Sequence, residues 1–566
     1  MSSPYSASTT HTVYAIDIGN PRAQAINALL SGTAWGAWTL TDTTTTISYS
    51  FPWTSNSTAI FSGYNNKPYS SENQNTASQT YGLNTSQITA AKLALQAWAN
   101  VANISFSEIK ETSTAVGDIR FAFTSAITSS SWGGAYPPDN YWPSGGDVWI
   151  SNRYVNSTDW SVGSYNYEAL MHEIGHAIGL KHPFEGSNTL PSSVDDRSHT
   201  IMSYNDASKS LFVSVSSSND SYTYEAFNVP PETPMLYDIA AIQYLYGANT
   251  NYNTGDDLYT FTPNAPFYKT IWDANGNDTI SVSNFSKACT IDLNQGHFSK
   301  ISIESDDYSN INWQSPPPTP TYDGTDNLAI AYNCIIENAV GGSGNDTLIG
   351  NEVANKLQGG PGNDTLYGND GNDELLPDTG NDQVYGGSGI DTCDFSSART
   401  NYQLSWSGST LRVQESKTSA SDQLVDVERI KFSDEFLAFD LDDHAGKVLK
   451  LISAVFGKEL LTNKKYIGMG LNLIDSGTSY EDLADYALKA AGANSNEAIV
   501  TTLWTNVLHT IPNTIDKAPY IAMLEQGTSI GTIGVFAADS SFNLNQIDLI
   551  GLSKTGVEYI MGSDSI

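Results

Sequence analysis

The chain has 566 residues and a mass of 61.1 kDa, which is too long for one hydrophobic core and predicts about three or four folding units. Its 26 basic residues against 61 acidic residues give a net charge of −35, which would repel nucleic-acid phosphates and anionic membrane surfaces. The charge therefore excludes a nucleic-acid-binding protein. With 45 glycines and only 15% charged residues, the composition favours a soluble, β-rich protein with many turns.

Neither a disulfide framework nor a membrane anchor is predicted. Cys289, Cys334 and Cys393 are too few for a disulfide scaffold, so stability must come from packing or from bound metal. The chain has no apolar run of about 18 residues, and residues 1–20 lack the basic and apolar segments of a signal peptide. We therefore expect no transmembrane segment and no cleaved N-terminal leader.

The first 250 residues mix strand and helix patterns. Apolar and polar residues alternate from Ile47 onwards, as in a strand with one buried face. Apolar residues recur at helical spacing over residues 86–104, 167–180 and 234–248. These patterns predict an α+β domain over residues 1–250.

Beyond residue 250 the sequence consists of short strand patterns separated by Gly-Asn-Asp turns. A nine-residue unit such as GGSGNDTLI repeats six times over residues 341–394. Each unit joins a glycine-rich turn to a short strand with one inward apolar side chain. We expect an all-β parallel β-roll with flanking strands over residues 251–442. Helical spacing returns over residues 443–566, which predicts a separate C-terminal α-helical module.

The strongest chemical signal is the segment HEIGHAIGLKH. His172 and His176 lie four residues apart on a predicted helix, so their imidazoles share one face, about 40° apart, and can bind one metal ion. His182 can join them only if the helix ends first. Gly179, which tolerates a left-handed backbone, and Pro183 provide that reversal. The spacing predicts one zinc ion held by three histidines; the alternative is three ordinary surface or core histidines.

Glu173 is the expected general base. A zinc ion held by three neutral nitrogens keeps a position for water and lowers its pKa from about 16 to about 7. Glu173 follows the first histidine and is displaced from it by about 100° around the helix. It can take the water proton and later deliver it to the leaving amine. This arrangement predicts peptide hydrolysis without a covalent intermediate.

The eleven-residue pattern HEIGHAIGLKH resembles the metzincins, and the match continues at Ile201-Met202-Ser203-Tyr204. The resemblance implies that Met202 lies in a turn beneath the metal. It also implies that Tyr204 is a further zinc ligand in the resting enzyme and swings to hydrogen-bond the developing oxyanion. Without the zinc motif, a buried methionine and a packed tyrosine would explain these residues.

Three stretches narrow the resemblance to one family: HEIGHAIGLKHP, PMLYDIAAIQYLYGA, and IWDANGNDTI followed by ENAVGGSGNDTLIGN. Over about residues 45–440 the chain is similar to serralysins, secreted bacterial zinc endopeptidases with a C-terminal repeats-in-toxin domain. The resemblance implies export by type I secretion machinery and an edge strand that pairs with an extended peptide substrate. That strand would comprise Trp132, Gly133, Gly134, Ala135 and Tyr136. From the residues alone, an ordinary glycine-rich loop explains this segment as well.

The aspartates of the nonapeptides predict several structural calcium ions. Successive turns fall on opposite edges of a flattened coil, so one winding takes 18 residues and each aspartate stacks on the one 18 residues later. Carboxylates and glycine carbonyls supply the oxygen ligands that Ca²⁺ prefers. The period-nine apolar position argues against a disordered acidic linker. The expected ligands are Asp346, Asp364, Asp373, Asp382 and Asp391 with Gly342, Gly344, Gly360, Gly362, Gly387 and Gly389.

Together these patterns predict a secreted, extracellular, monomeric zinc endopeptidase that is stabilised by calcium and cleaves proteins or peptides. A chain that folds only at extracellular calcium concentrations could pass a secretion channel without a cleaved leader. The alternative is a calcium-dependent surface or adhesion protein whose protease-derived core is a scaffold or acts on one partner. The intact Glu173 favours the enzyme.

Overall fold

The computed structural model describes residues 8–17, 19–37, 44–53, 59, 61, 63, 68–112, 115–127, 131–139, 141–218 and 221–560. The chain divides into two compact units, residues 1–336 and residues 337–566. In the described ranges, no helix is both long enough and apolar enough to cross a bilayer.

A mixed sheet with flanking helices forms the first part of the first unit. The strands of this region are β1 Thr10–Thr12, β2 Thr33–Trp35, β3 Thr45–Ser50, β4 Thr80–Tyr81, β5 Ile104–Glu108, β6 Ile119–Thr124, β7 Gly133–Ala135, β8 Val148–Ser151, β9 Leu211–Ser218 and β10 Ser221–Asn228. Strands β3 to β8 form the mixed sheet, whereas β1 with β2 and β9 with β10 form two separate antiparallel pairs. The helices of this region are α1 Pro21–Leu29, α2 Thr85–Val101, α3 Tyr165–Ala177 and α4 Leu236–Tyr246.

The central sheet has the order β5-β3-β6-β8-β7, with β4 also paired to β6. Strands β3, β5, β6 and β8 are parallel, whereas β7 runs antiparallel to β8 at the end of the sheet. All six residues of β6 and all four of β8 are buried, as expected for central strands covered on both faces. The short antiparallel strand β7 ends the sheet, and its outer edge has no neighbouring strand among the described residues.

Capping residues define where the two central helices begin. Asn84 and Gln87 form a capping box at α2, and the Ser164 side chain accepts from the Tyr167 backbone at α3. The two helices pack together through Trp98, which is fully buried and whose indole nitrogen donates to the Met171 carbonyl at 3.2 Å. This contact fixes α3 against the core.

The rest of the first unit consists of short strands. They are β11 Leu258–Thr260, β12 Lys269–Ile271, β13 Thr279–Ser281, β14 Thr290–Asp292, β15 Phe298–Ser299 and β16 Leu328–Ile330. Strands β11 and β13 are parallel, as are β12 and β16, and β15 pairs antiparallel with β16.

The second unit begins with the nonapeptide strands. They are β17 Asn338–Val340, β18 Thr347–Ile349, β19 Lys356–Gln358, β20 Thr365–Asp370, β21 Glu374–Leu376, β22 Gln383–Ser388 and β23 Thr392–Asp394. Parallel pairing joins each strand to the one 18 residues later, for example Leu348 to Leu366 and Leu357 to Leu375. The inward side chains are fully buried at Leu348, Leu357, Leu366, Leu375, Val384 and Cys393.

Up to residue 560, where the described part ends, the second unit continues with five further strands, eight helices and one last strand. The strands are β24 Tyr402–Ser407, β25 Thr410–Glu415, β26 Ser421–Val425, β27 Arg429–Lys431, β28 Phe436–Ala438 and β29 Val557–Tyr559. The helices are α5 His444–Phe456, α6 Lys464–Asp475, α7 Tyr480–Ala490, α8 Asn496–Leu508, α9 Thr514–Glu525, α10 Ile530–Ala538, α11 Ser541–Leu544 and α12 Leu549–Thr555.

The order of an α+β region, short β-strands and C-terminal helices is as the sequence predicts. Strands β26 and β27 extend the two rows of repeat strands, because β26 pairs in parallel with β22 and β27 with β23. The domain boundaries at residues 250 and 442 stay predictions.

Candidate active site and cation sites

Three histidines converge beside helix α3. The Nε2 atom of His182 lies 3.2 Å from Nε2 of His172 and 3.1 Å from Nε2 of His176. The three nitrogens lie close enough to one another to hold one metal ion. Tetrahedral Zn–N bonds of about 2.0–2.1 Å place two nitrogens about 3.3 Å apart, so the spacing fits one zinc ion.

Hydrogen bonds at the other ring nitrogen fix the tautomer of each histidine. Nδ1 of His172 faces the Ile201 carbonyl at 2.7 Å, and Nδ1 of His176 faces the Leu180 carbonyl at 3.0 Å. Each Nδ1 therefore donates a proton, which leaves the Nε2 lone pairs pointing at one another. Converging lone pairs repel unless a cation lies between them, so this donor set suits a metal ion.

The third histidine has a carboxylate partner that the sequence analysis missed. Nδ1 of His182 donates to Oε1 of Glu185 at 2.7 Å, which is a common arrangement behind a metal-binding histidine. The signal was present as an acidic residue three positions after the ligand, but the loop geometry decides the contact.

The reversal that delivers His182 depends on Gly179. Its φ is +117°, and a Cβ atom there would lie 2.7 Å from the Thr33 carbonyl oxygen. Both the backbone conformation and the close approach require glycine. The Lys181 ammonium lies beyond the turn and donates to the carbonyls of Glu185 and Asn188, which holds the loop after His182.

Burial keeps His172 and His176 neutral in the protein. Desolvation, followed by the neighbouring imidazoles, lowers the pKa of His172 well below its usual range and lowers the pKa of His176 to about 4. Neutral imidazoles are the form that binds metal.

Glu173 is buried next to the edge strand. Desolvation raises the pKa of its carboxyl to about 8, and Oε2 has no hydrogen-bond partner among the described residues. Oε1 faces β7, since a Cβ on Gly133 would lie 3.1 Å from it. A carboxylate without hydrogen-bond donors, next to the candidate metal site, is suited to accept a proton.

Met202 and Tyr204 both lie near the histidine cluster. Met202 is fully buried, and its sulfur would lie 2.7 Å from a Cβ on Gly175, between the two helical histidines. The Tyr204 ring lies 4.5 Å from the His182 ring and 5.8 Å from the His172 ring, centre to centre. Burial, then the charges of Glu173 and Glu185, raises the pKa of Tyr204.

The predicted substrate segment contains the end strand β7. Gly133, Gly134 and Ala135 pair antiparallel with Ile150, Trp149 and Val148. Trp132 before the strand is buried and donates to Asn166 at 2.9 Å, and the Tyr136 hydroxyl after it donates to Gln74 at 3.0 Å. The two flanking side chains are therefore anchored, and the glycines between them are partly exposed.

The repeat aspartates form two stacked rows. The Asp346 amide donates to Oδ1 of Asp364 at 2.7 Å, and the Asp364 amide donates to Oδ1 of Asp382 at 2.7 Å. In the other row the Asp373 amide donates to Oδ1 of Asp391 at 2.9 Å. The second carboxylate oxygen, Oδ2, is buried and has no hydrogen-bond partner in the described part of the chain in Asp364, Asp373, Asp382 and Asp391.

The unpartnered oxygens face glycine backbone. Burial raises the pKa of Asp364 and of Asp391 to about 7, as expected for carboxylates without cations. Stacked glycines bring carbonyls close: a Cβ on Gly360 would meet the Gly342 carbonyl oxygen at 2.4 Å, and one on Gly362 would meet that of Gly344 at 1.9 Å. The oxygen donors fit Ca²⁺.

The expected glycines of the other row are arranged in the same way. Gly387 and Gly389 have φ values of +114° and +141°, and a Cβ on either would collide with the carbonyl oxygen of Asn369 or Gly371. All eleven predicted calcium-site residues therefore lie in the two stacked rows.

Three further acidic groups were missed by the period-nine pattern. The Asp382 amide donates to Asp422 at 3.0 Å and the Asp391 amide donates to Glu428 at 2.9 Å, so these residues continue the two rows beyond the repeats. In the first unit, Asp257 joins Asp273 and Asp278 in a cluster with metal-ligand distances.

Comparison with known proteins agrees with this arrangement. The Matrixin family model matches residues 70–209, the model described as Peptidase M10 serralysin C terminal matches residues 237–308, and the RTX calcium-binding nonapeptide repeat model matches residues 340–375 and 378–393. Both the Matrixin match and the serralysin C-terminal match therefore fall within the first unit. The matched domains confirm zinc and calcium as the implied cofactors.

Characterised relatives make the resemblance more specific. The chain is 34% identical over 302 residues to a serralysin of Photorhabdus luminescens, which covers 49% of this chain and 55% of the relative. It is 31% identical over 311 residues to a serralysin of Proteus mirabilis (49% and 56%), and 34% identical over 290 residues to metalloprotease AprA of Pseudomonas entomophila (47% and 53%). The chain therefore spans about half the length of these relatives. The predicted similarity to serralysins is confirmed.

Proposed function

We propose that the protein is a calcium-stabilised zinc endopeptidase that hydrolyses peptide bonds in proteins. The convergence of three Nε2 atoms, each on a ring whose Nδ1 donates to an oxygen, is the observation that carries this proposal. The names of the relatives, serralysin and metalloprotease, support the same activity.

His172, His176 and His182 would hold the zinc ion, with Tyr204 as a further ligand in the resting state. When bound, zinc supplies a Lewis acid that lowers the pKa of water to about 7 and polarises the scissile carbonyl. Zinc would also favour the ionised form of Glu173, because a nearby cation lowers the pKa of a carboxyl group.

Glu173 would act as the general base and then as the general acid. Its Oε2 atom has no other partner among the described residues, so it can accept the proton of the attacking water and pass it to the leaving amine. The Tyr204 hydroxyl would donate to the oxyanion as charge develops on it. Met202, packed beneath Gly175, would support the histidine-bearing turn of α3.

The substrate would bind as an added strand. The outer edge of β7 can offer backbone N–H and C=O groups to an extended peptide. Main-chain pairing tolerates varied side chains, so we expect broad specificity. Because Gly133 lies against Glu173, a peptide on this edge would pass close to the proposed base.

Calcium would complete a β-roll built from the two stacked aspartate rows. The predicted ligands are the five repeat aspartates and the six glycine carbonyls, and we add Asp422 and Glu428 at the end of the rows. We also propose secretion through type I machinery and an extracellular location, which calcium-dependent folding supports. The proposed enzyme is a monomer with a separate helical module.

Digestion of casein by the native chain and by Glu173→Gln tests the activity. Both proteins should bind one zinc ion, and the variant should cleave at least about a thousandfold more slowly, because it lacks the base. Equal cleavage by both would refute the role of Glu173. Loss of zinc from the variant would show instead that the site has collapsed. The adhesion alternative predicts no cleavage by either protein.

A further inference from the structure

Helices α5–α7 and α8–α10 form a tandem repeat of one three-helix unit. Asn463 caps α6 and Asn513 caps α9, each accepting from two backbone amides. Ser479 and Ser529 cap α7 and α10, each accepting from one backbone amide three residues later. In both units the capping serine is the last residue of a Gly-Thr-Ser sequence. Equivalent residues are separated by 52 positions in the first helix and by 50 in the other two.

Each unit has an apolar pocket between its three helices, and equivalent residues line both pockets. Three pairs illustrate the correspondence: Leu451 with Leu503, Leu483 with Ile533, and Tyr486 with Phe536. A single pocket could be accidental packing. The same pocket at equivalent positions of a repeat is a property of the three-helix unit.

The two pockets differ in volume. The pocket of α5–α7 has a volume of about 260 Å³, and that of α8–α10 about 750 Å³. In the first unit the rings of Phe456 and Tyr466, which both line the pocket, lie 5.2 Å apart. The equivalent residues of the second unit, Leu508 and Asp516, offer no ring pair. The second pocket is the larger of the two, and we call it the groove.

Aromatic rings run across this groove. Trp504 on α8 lies 6.2 Å from Tyr520 on α9, which lies 6.3 Å from Phe536 on α10. Phe536 is 59% exposed and Phe542, at one end of the groove, is 63% exposed. Apolar rings that remain in water at a concave surface are typical of a protein-binding site.

The charge around the groove indicates the kind of partner. Residues 496–545 carry four carboxylates, Glu497, Asp516, Glu525 and Asp539, against one lysine, Lys517. Lys517 already pairs with Glu497 at 2.6 Å, and Asp539 pairs with Lys450 at 3.1 Å. The remaining field is negative, so it attracts a cationic partner. A second copy of this chain, with its net charge of −35, or an anionic membrane would be repelled.

We propose that the groove formed by α8, α9 and α10 binds a cationic amphipathic helix of a partner protein. Leucine- or phenylalanine-sized side chains at helical spacing would fill the groove against Trp504, Tyr520 and Phe536. Lysines or arginines on the flanks of that helix would be attracted by the excess negative charge of residues 496–545. Apolar anchors supply the affinity of such helix-in-groove complexes, and the charges supply the preference among partners. This proposal does not depend on the peptidase activity.

Fluorescence anisotropy of a labelled peptide tests the proposal. The probe is an amphipathic peptide of about 18 residues, or five helical turns, with leucines on one face and lysines on the other. The protein is the full chain with calcium, carrying Glu173→Gln so that it does not digest the probe. We expect saturable binding that weakens as salt is added, and at least about tenfold weaker binding when Phe536→Arg is introduced.

Tyr486→Arg is the matched control, because Tyr486 occupies the equivalent position in the smaller pocket and is 51% exposed. It should bind the probe as the parent does, and both variants should unfold at the parent's temperature. Binding that survives Phe536→Arg would overturn the proposal, as would equal binding of a peptide with glutamates in place of the lysines. Concentration-dependent dimerisation that Phe536→Arg abolishes would assign the groove to a second copy instead.

Discussion

Gly133 and Glu173 are in contact across the gap between the end strand β7 and the helix α3. A methyl group on Gly133 would lie 3.1 Å from Oε1 of Glu173 and 2.9 Å from the Trp149 carbonyl oxygen. The distance to the Trp149 carbonyl is too short for a real carbon, so an alanine here must shift β7 relative to β8. The distance to Oε1 is tight as well, so the Glu173 carboxyl would also have to move slightly. Because Gly133 has no side chain, the strand that would bind substrate can lie directly against the proposed base.

This contact predicts that Gly133→Ala lowers kcat/KM of peptide cleavage by about 10- to 100-fold, because a small misplacement of a catalytic group is costly. Gly134→Ala is the matched control, since nothing lies within 4 Å of a Cβ at that position. It should retain activity near that of the native chain. Comparable losses in the two variants would argue against the contact as the cause.

The carboxylate of Glu185 should tune the metal affinity of His182. Glu185→Gln keeps the size of the side chain but removes the charge of the carboxylate that accepts the Nδ1 proton of His182. Nδ1 and Oε1 are 2.7 Å apart. We expect zinc affinity to fall by about 10- to 100-fold, measured by competition with a chelator. Unchanged affinity with an unchanged unfolding temperature would show that this exposed carboxylate does not support the ligand.

The stacked aspartates predict an unusual pH dependence of stability without calcium. Burial raises the folded-state pKa of Asp364 and of Asp391 to about 7, above the value of about 4 expected in the unfolded chain. A raised pKa means that the folded state prefers the protonated carboxyl. Its contribution to stability is therefore complete below about pH 4 and is lost as the pH rises through about 7.

The unfolding temperature of the calcium-free chain should accordingly fall between about pH 5 and about pH 8. Saturating calcium should reverse this trend, because protons compete with the ion for the same oxygens. Asp364→Asn should flatten the calcium-free profile, since the amide does not titrate. A calcium-free unfolding temperature that rises with pH over this range would contradict the arrangement.

A buried ion pair in the catalytic sheet region should matter more for stability than a nearby exposed one. Arg120 donates two 2.7 Å hydrogen bonds to Glu111, and both side chains are almost fully buried. Glu111→Ala removes the carboxylate from a buried guanidinium, which also donates to the Tyr69 hydroxyl at 3.0 Å, and should cost about 3–5 kcal/mol of unfolding free energy. Glu108→Ala removes an exposed pair with Lys92 and should cost about 0–1 kcal/mol. Denaturant unfolding of both variants measures the difference, and similar costs would contradict it.

Two parts of the protein could be predicted from the sequence: the histidine motif, from its spacing, and the nonapeptides, from their period. The spacing of His172, His176 and His182 requires a helix, a reversal and a return, and Gly179 with its positive φ provides the reversal. The period of nine places Leu348 on Leu366 and Asp346 on Asp364. In both cases local geometry fixes which side chains meet.

Contacts that join unlike segments could not be predicted in this way. Asp422 and Glu428 continue the aspartate rows, but they follow partners 40 and 37 residues earlier rather than 18. The interval is longer because the antiparallel strands β24 and β25 intervene. Similarly, the approach of Gly133 to Glu173 depends on how the sheet packs against α3, which no sequence period records.

Zinc titration of the metal-depleted chain tests the central claim most directly. Peptidase activity should be absent after depletion and should return in proportion to added zinc, reaching its maximum at about one equivalent, because three histidines form one site. Full peptidase activity in a chain that holds less than about a tenth of an equivalent of zinc would contradict the account.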